Sequence, residues 1–451
     1  MKFPKDFIWG GATSSYQIEG AAFHEGGGES IWDMMGRQPG KIHQGDTGEL
    51  ACDHYHRYKQ DVTLMANIGL KAYRFSVSWP RVLPTGQGAI NQKGLDFYHR
   101  LVDELLEKNI TPWVSLFHWD FPYDLYCRGG WLNRESADWF SDYTSLVVDK
   151  LSDRVQHWIT LNEPQCYIEL GHASGIHAPG LQLARREVLL AAHHTLLAHG
   201  KAVQVIRARS ILTPMISASQ AGTVSIPASD SVENITAARK HMFAVRDKGV
   251  FNNCWFSDPM ILGVYPEDGI ELYQEDMPNI LSGDMELINQ KLDYYGANIY
   301  SGRYVQFFEG GVIEEVVKDN IQYTEMNWPI TPEALYWGPK FIYDRYKLPI
   351  VITENGMASR DEIVDESIQD HNRIEFLQSY LTELSRSIED GIPTLGYFHW
   401  SVMDNFEWAE GYLKRFGLIY VDYATQQRTI KESAYWYKQL INSGIDTKHI
   451  L

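Results

Sequence analysis

Residues 155–164 read VQHWITLNEP, an apolar run that ends in two polar residues and a proline. Aromatic and β-branched residues dominate the run, as is typical of a strand buried in a parallel sheet. Asn162 and Glu163 follow it directly, and Pro164 then favours a turn. The segment therefore predicts a strand that presents polar side chains at its carboxyl end.

Further runs of the same character lie along the chain, and amphipathic segments separate them. With residues 155–161, the predicted strands are residues 8–12, 72–77, 113–118, 213–218, 294–300, 350–353 and 394–400. Apolar residues at spacings of three and four predict helices at Tyr58, Val62, Met65 and Ile68, at Leu101 and Leu105, and over residues 184–208 and 370–388. Eight strands, each followed by helical sequence, predict an α/β fold of the (β/α)8 TIM barrel type. Pattern alone leaves a doubly wound open sheet as the alternative.

Domain organisation follows from the lack of any visible linker, because no low-complexity segment or charge block interrupts residues 1–451. We therefore expect a single domain with long loops over the C-terminal face of the barrel. The segments 227–290 and 307–322 show no clear period and are expected to be surface insertions above the barrel.

Composition and charge narrow the functional classes. Hydrophobic residues make up 44% of the 451 residues, which is enough for one large core. The formal net charge of −18 repels polyanions, so neither nucleic acid nor an anionic membrane is expected as a partner. No apolar stretch is long enough to span a bilayer and the start shows no signal peptide, so we expect a soluble, cytoplasmic protein.

The sequence predicts no metal or organic cofactor. The four cysteines, which are far apart and show no CxxC spacing, are Cys52, Cys127, Cys166 and Cys254. They indicate neither a zinc site nor a disulfide framework. His193, His194 and His199 are close in sequence, but no two stand three or four apart, as ligands on one helical face would. We interpret these histidines as structural or surface residues.

Polar residues cluster at the ends of the predicted strands, where barrel enzymes carry their active sites. These strand ends are His118-Trp119-Asp120, Asn162-Glu163-Pro164, Asn298 with Tyr300, Glu354-Asn355-Gly356 and His399-Trp400. Glu163 follows the fourth strand and Glu354 the seventh, so the two carboxyls can face each other across the mouth of the barrel. Pattern alone leaves two interpretations open: surface carboxylates that cap the next helices, or the carboxyl pair that glycoside hydrolysis requires.

The segments 160–164 (TLNEP) and 352–356 (ITENG) resemble the two signature segments of glycoside hydrolase family 1, the β-glucosidase family. The resemblance extends over nearly the whole chain. Matching segments, in the order of the family, are 7–20 (FIWGGATSSYQIEG), 73–80 (YRFSVSWP), 116–122 (LFHWDFP), 293–300, 328–332 and 400–408 (WSVMDNFEW). So many matches in one order are far more specific than a single motif.

The resemblance implies a retaining mechanism in which Glu163 is the acid/base and Glu354 the nucleophile. Their carboxyls are then expected about 5–5.5 Å apart. It further implies that Arg74 keeps Glu354 ionised and that Tyr300 orients it, while Asn162 donates to the sugar 2-hydroxyl.

The resemblance also implies the sugar-binding residues. These are Gln17, His118 and Glu407 for the hydroxyls, Trp400 as the stacking platform, Trp119, Trp408 and Asn298 in the same pocket, and Trp328 near the aglycone. Family members that act on 6-phosphoglycosides carry a small hydroxyl residue at the position of Glu407, with a basic residue nearby. Because an acidic residue would repel a phosphate, we expect unphosphorylated β-glucosides and short β-linked oligosaccharides as substrates, with β-galactosides and β-fucosides as further ones.

Several alternatives remain. The chain could be a 6-phospho-β-glycosidase, or it could transfer the glycosyl group to an alcohol or a sugar instead of water. A non-catalytic carbohydrate-binding barrel would require the loss of one carboxylate, and both are present. An aldolase would require a Schiff-base lysine at a strand end, and the predicted strand ends carry none.

Overall fold

The computed structural model describes residues 1–361, 363 and 367–443, so the last part of the expected domain, residues 444–451, lies outside the described residues. Eight parallel strands close into a barrel in the order β1-β2-β3-β4-β5-β7-β10-β11. The barrel strands are β1 (Ile8–Ala12), β2 (Ala72–Ser76), β3 (Thr111–Ser115), β4 (His157–Asn162), β5 (Met215–Ala221), β7 (Tyr295–Asn298), β10 (Ile350–Asn355) and β11 (Thr394–Trp400). Each overlaps a predicted strand, so the (β/α)8 prediction is confirmed.

Closure of the barrel occurs between its first and last strands. β1 pairs in parallel with β11 from Ile8–Gly396 to Ala12–Trp400, and it also pairs with β2. An open sheet would leave β1 or β11 as an edge, so the doubly wound alternative is wrong.

Helices surround the barrel. Their buried apolar faces account for the apolar residues that recur at spacings of three and four in the sequence. The helices are α1 (Ser15–Ile18), α2 (Ile31–Gly36), α3 (His54–Asn67), α4 (Trp79–Val82), α5 (Gln92–Glu107), α6 (Tyr123–Tyr126), α7 (Ser136–Leu151), α8 (Arg185–Arg209), α9 (Val232–Met242), α10 (Ser257–Leu262), α11 (Glu267–Tyr273), α12 (Asp284–Ile288), α13 (Ala334–Tyr346), α14 (His371–Glu389) and α15 (Glu432–Ser443). Val62 and Met65 on α3 and Leu101 and Leu105 on α5 are buried, as their spacing predicts. Their burial supplies the main driving force that seats the helices on the sheet.

The two segments without a clear period contain regular structure. Residues 227–290 include α9 to α12. Residues 307–322 were expected to form a loop, but they include β9 (Val312–Val316), which pairs antiparallel with β8 (Gly302–Phe308). β6 (Val224–Pro227) completes this three-stranded sheet, and β12 (Ile419–Val421) pairs with β13 (Arg428–Ile430). Because no residue of β9 is fully buried, the strand has no apolar alternation from which it could be predicted.

The three neighbouring histidines of α8 are all buried, which confirms the structural interpretation over the surface one. His193 lies between the hydroxyl of Tyr265 and Asp284, each at 2.9 Å, and His199 contacts the hydroxyl of Thr160 at 2.7 Å. Across the part of the chain that the structure describes, no three or more His, Cys, Asp or Glu side chains are grouped so that they could hold a metal ion. No helix in that part is long and apolar enough to cross a membrane.

Candidate active site

A cavity of about 530 Å³ opens at the carboxyl ends of the barrel strands. Most of the predicted site residues line it, namely His118, Trp119, Glu163, Asn298, Tyr300, Trp328, Glu354, Trp400, Glu407 and Trp408. Gln17, Arg74 and Asn162 are fully buried and lie behind its wall, where they contact lining residues. The structure therefore brings the predicted residues together in one place, although three of them lie behind the cavity surface.

Glu354 is carried by β10 and is buried. Arg74 on β2 donates to its Oε1 at 2.5 Å, and the hydroxyl of Tyr300 donates to its Oε2 at 2.6 Å. Burial and the neighbouring Glu354 carboxylate raise the pKa of Tyr300 well above its usual value, so this phenol keeps its proton and donates. A guanidinium and a hydroxyl both stabilise the ionised carboxylate, which suits Glu354 to act as a nucleophile.

Glu163 follows β4 in a left-handed backbone conformation with φ of 50°. The amide of Asn298 donates to its Oε1 at 2.8 Å, and the thiol of Cys166 donates to its Oε2 at 3.2 Å. Burial, and then the charge of Glu354, raise the pKa of Glu163 to about 7. The donors and Arg74 oppose this shift without cancelling it. Glu163 can therefore hold a proton near neutral pH and release it within the same cavity.

Asn162 connects the two carboxyls indirectly, because it contacts both Arg74, which binds Glu354, and Asn298, which binds Glu163. Its Oδ1 accepts hydrogen bonds from Arg74 and, at 3.1 Å, from Asn298, while its Nδ2 lies 3.1 Å from Nε2 of His118. Burial and the charge of Arg74 lower the pKa of His118 well below its usual value, so the imidazole is neutral. Its buried Nδ1 has no hydrogen-bond partner among the described residues.

Glu407 lines the cavity, and Gln17 lies behind it. The amide of Gln17 donates to the carbonyl of Phe406 at 2.8 Å and to Oε2 of Glu407 at 3.4 Å, and its Oε1 accepts from Ser14 at 2.7 Å. Gln17 therefore supports Glu407 from behind. Burial, followed by the charges of Glu354 and Glu163, raises the pKa of Glu407 to about 8.

Aromatic rings form much of the cavity wall. The rings of Trp119 and Trp408 lie 4.5 Å apart and tilted, and the ring of Trp400 lies 5.7 Å from that of His118. The ring of Trp328 lies 5.1 Å from that of Tyr300, and Trp328 is only partly buried. Such surfaces complement the apolar faces of sugar rings.

Several lining residues were not predicted. They include Cys166, Leu170, Ile176, His177, Phe251, Met326 and Phe416. Glu163 directly precedes the helical residues 164–173 and Cys166 follows it by three residues, so the spacing of a helix cap could have indicated a contact. Phe251, Met326 and Phe416 lie on loops between regular elements and carry no periodic signal.

Comparisons with known proteins agree with this geometry. A family model described as glycosyl hydrolase family 1 matches residues 1–445. The chain is 46% identical to a 1,4-β-D-glucan glucohydrolase of Thermotoga neapolitana, over 98% of this chain and 99% of the relative. It is 45% identical to β-glucosidase A of Thermotoga maritima, over 99% of both. Among solved structures, a β-glucosidase from Thermotoga maritima in complex with glucoimidazole has a TM-score of 0.90 at 45% identity, covering 98% of this chain and 99% of that one.

Proposed function

The chain belongs to glycosyl hydrolase family 1 and is an enzyme of the β-glucosidase class, and from this premise we propose that it works by double displacement with Glu163 as acid/base and Glu354 as nucleophile. One observation carries the assignment of roles. The two carboxyls line one cavity but have different surroundings. Glu354 accepts a hydrogen bond from the guanidinium of Arg74, whereas burial and the charge of Glu354 raise the pKa of Glu163. Paired carboxyls in unlike environments are the basis for dividing acid and nucleophile roles.

In the first step, Glu354 attacks the anomeric carbon and the glycosidic C–O bond breaks. The proton of Glu163 passes to the departing oxygen, so the aglycone leaves as an alcohol. The product is a glycosyl ester of Glu354, in which the negative charge that raised the pKa of Glu163 is gone.

In the second step, Glu163 is ionised and takes a proton from an incoming water. The water oxygen attacks the anomeric carbon from the side that the aglycone left, the bond to Glu354 breaks, and the sugar is released with its original β-configuration. An alcohol can take the place of water in this step, which gives transfer instead of hydrolysis.

We propose terminal, unphosphorylated β-D-glucosyl groups as substrates, with β-galactosyl and β-fucosyl groups as further ones. Glu407 lines the cavity and offers no positive charge to a phosphate, whether or not it holds a proton. Among the described lining residues, Arg303 is the only lysine or arginine, and it pairs with Glu315 at 3.2 Å. These features favour neutral sugars over 6-phosphosugars.

The test is a panel of nitrophenyl β-glucoside, β-galactoside, β-fucoside and 6-phospho-β-glucoside, assayed beside cellobiose. We expect turnover of the unphosphorylated β-glucoside, and proton NMR of early product should show the β-anomer. Turnover of the phosphorylated sugar alone would contradict the proposal that Glu407 disfavours phosphorylated sugars. Added methanol separates transfer from hydrolysis through the appearance of methyl β-glucoside.

The role of Glu163 has its own test. In Glu163→Ala, the glycosylation rate on a dinitrophenyl glucoside should stay near that of the wild type, because this leaving group needs little protonation. The rate on an alkyl glucoside should fall by about 10²–10⁴-fold. Equal losses on both substrates would contradict the acid role.

A further inference from the structure

The thiol of Cys166 touches the carboxyl that the proposed mechanism uses twice. Its Sγ donates to Oε2 of Glu163 at 3.2 Å, and Cys166 is buried in the cavity wall. The turn that places it is fixed, because the backbone N–H of Cys166 donates to the carbonyl of Glu163 at 2.9 Å.

Among the residues that the structure describes, each oxygen of Glu163 has one donor. Asn298, which donates to Oε1, is itself held by a hydrogen bond at 2.6 Å from the hydroxyl of Thr353 to its Oδ1. The Oε1 contact would therefore survive the loss of the thiol. Cys166 alone holds the second oxygen among the described residues, so its contribution can be removed separately.

The chemistry of a buried thiol fits this position. Burial, and then the neighbouring Glu163, raise the pKa of Cys166 well above its usual value, so the sulfur keeps its proton. It can donate to the carboxylate but does not compete with Glu354 as a nucleophile. Because the S–H bond rotates, the thiol can turn away when Glu163 holds its own proton.

On the basis of the function proposed above, we propose that Cys166 is a positioning residue for the acid/base, which holds Oε2 of Glu163 and stabilises its ionised form. A donor to a carboxylate favours its charged state, and so it lowers the pH at which the proton leaves. Cys166 thereby limits the upward shift that burial and Glu354 impose on Glu163.

Other charged groups act on Glu163 from the surrounding strands and loops. Glu354 on β10 raises its pKa and Arg74 on β2 lowers it, while Glu163 in turn raises the pKa of Glu407 and of Tyr300. None of them is altered by a change at Cys166, so a shift in that variant can be assigned to the thiol.

The experiment is the pH profile of kcat/KM on nitrophenyl β-glucoside for Cys166→Ala and Cys166→Ser. In Cys166→Ala, the decrease of kcat/KM at high pH (the upper limb of the profile) should move to higher pH by about half a unit to one unit, as expected for the loss of a weak donor. Cys166→Ser should bring the limb back to the wild-type position or below it, because a hydroxyl is a stronger donor. If Cys166→Ala does not fold, Cys166→Val removes the donor at nearly the same volume.

Cys254→Ala is the matched control. Its thiol is also fully buried and donates at 3.1 Å, but to the backbone carbonyl of Phe243, away from the cavity. In this variant, kcat/KM should decrease at the same high pH as in the wild type, even if the protein is less stable. A Cys166→Ala or Cys166→Val profile that overlies that of the wild type would overturn the inference.

Failure of the inference and failure of the proposed function give different results. If the proposed function is wrong, Glu163→Gln keeps the wild-type rate and profile. If only the inference is wrong, Glu163→Gln is impaired while Cys166→Ala leaves the limb unchanged.

Discussion

Arg74 donates a 2.5 Å hydrogen bond to Oε1 of Glu354, and both side chains are buried. The pair is therefore shielded from the salt that weakens surface ion pairs. The same guanidinium also donates to Asn162, so one side chain supports the carboxylate and the amide that links it to Glu163.

Arg74→Met should lower kcat/KM on a β-glucoside by about 10²-fold or more, because Glu354 loses the guanidinium that holds its Oε1. Leaving a buried carboxylate without its partner should also cost about 3–5 kcal/mol of the free energy of unfolding. Steady-state kinetics and urea unfolding measure the two effects. Arg209→Met removes a half-exposed pair with Asp149 and should change neither quantity appreciably.

Glu354→Ala should abolish turnover of β-glucosides. Added azide should restore part of the activity on a dinitrophenyl glucoside, because the small anion can occupy the vacated space and attack the anomeric carbon. The product should be the α-glucosyl azide, detected by NMR, since only one displacement then occurs.

Asp258→Ala is the control for this loss. Asp258 is also a buried carboxylate that accepts from an arginine, Arg345, and a tyrosine, Tyr346, but it lies outside the cavity. This variant should be less stable than the wild type and keep its kcat. Substantial azide-independent turnover by Glu354→Ala would mean that another group is the nucleophile.

The pKa of Glu163, raised to about 7, predicts a pH profile. Because the first step needs protonated Glu163, kcat/KM should fall as pH rises through about 7, approaching tenfold per unit. In Glu354→Gln the pKa of Glu163 should decrease, since a neighbouring negative charge is removed. ¹³C NMR titration of labelled glutamate side chains measures this. An unchanged or higher pKa in Glu354→Gln would show that the two carboxyls do not interact.

The local pattern of the chain predicts the barrel well, because buried strands and amphipathic helices leave a period in the sequence. It also predicts where Glu163 and Glu354 lie, since Glu163 directly follows β4 and Glu354 is the last residue but one of β10. The wall formed by Phe251, Met326 and Phe416 could not be predicted, because these side chains lie on loops whose paths depend on contacts with distant residues. The position of Gln17 behind Glu407 is likewise set by a contact across 390 residues of chain.

A buried network of charges around Lys431 could not be predicted for the same reason. Lys431 donates to Asp361 at 2.5 Å and to Asp404 at 2.7 Å, and all three are buried. Asp404 also accepts from Arg415 at 2.7 Å and from the backbone N–H of Gly417 at 2.9 Å. It thus anchors the segment that leads to Glu407 and the one that carries Phe416.

Lys431→Met should therefore affect both stability and substrate binding. Removing the ammonium leaves Asp404 with less compensation in the interior, which should cost about 3–5 kcal/mol of the free energy of unfolding. Loosening of the segments around Glu407 and Phe416 should raise KM for a β-glucoside more than it lowers kcat. Calorimetry and steady-state kinetics measure both, with Lys201→Met, a partly exposed lysine paired with exposed Asp138, as the control. Unchanged Tm and KM in Lys431→Met would show that the network neither stabilises the fold nor positions the sugar-binding segment.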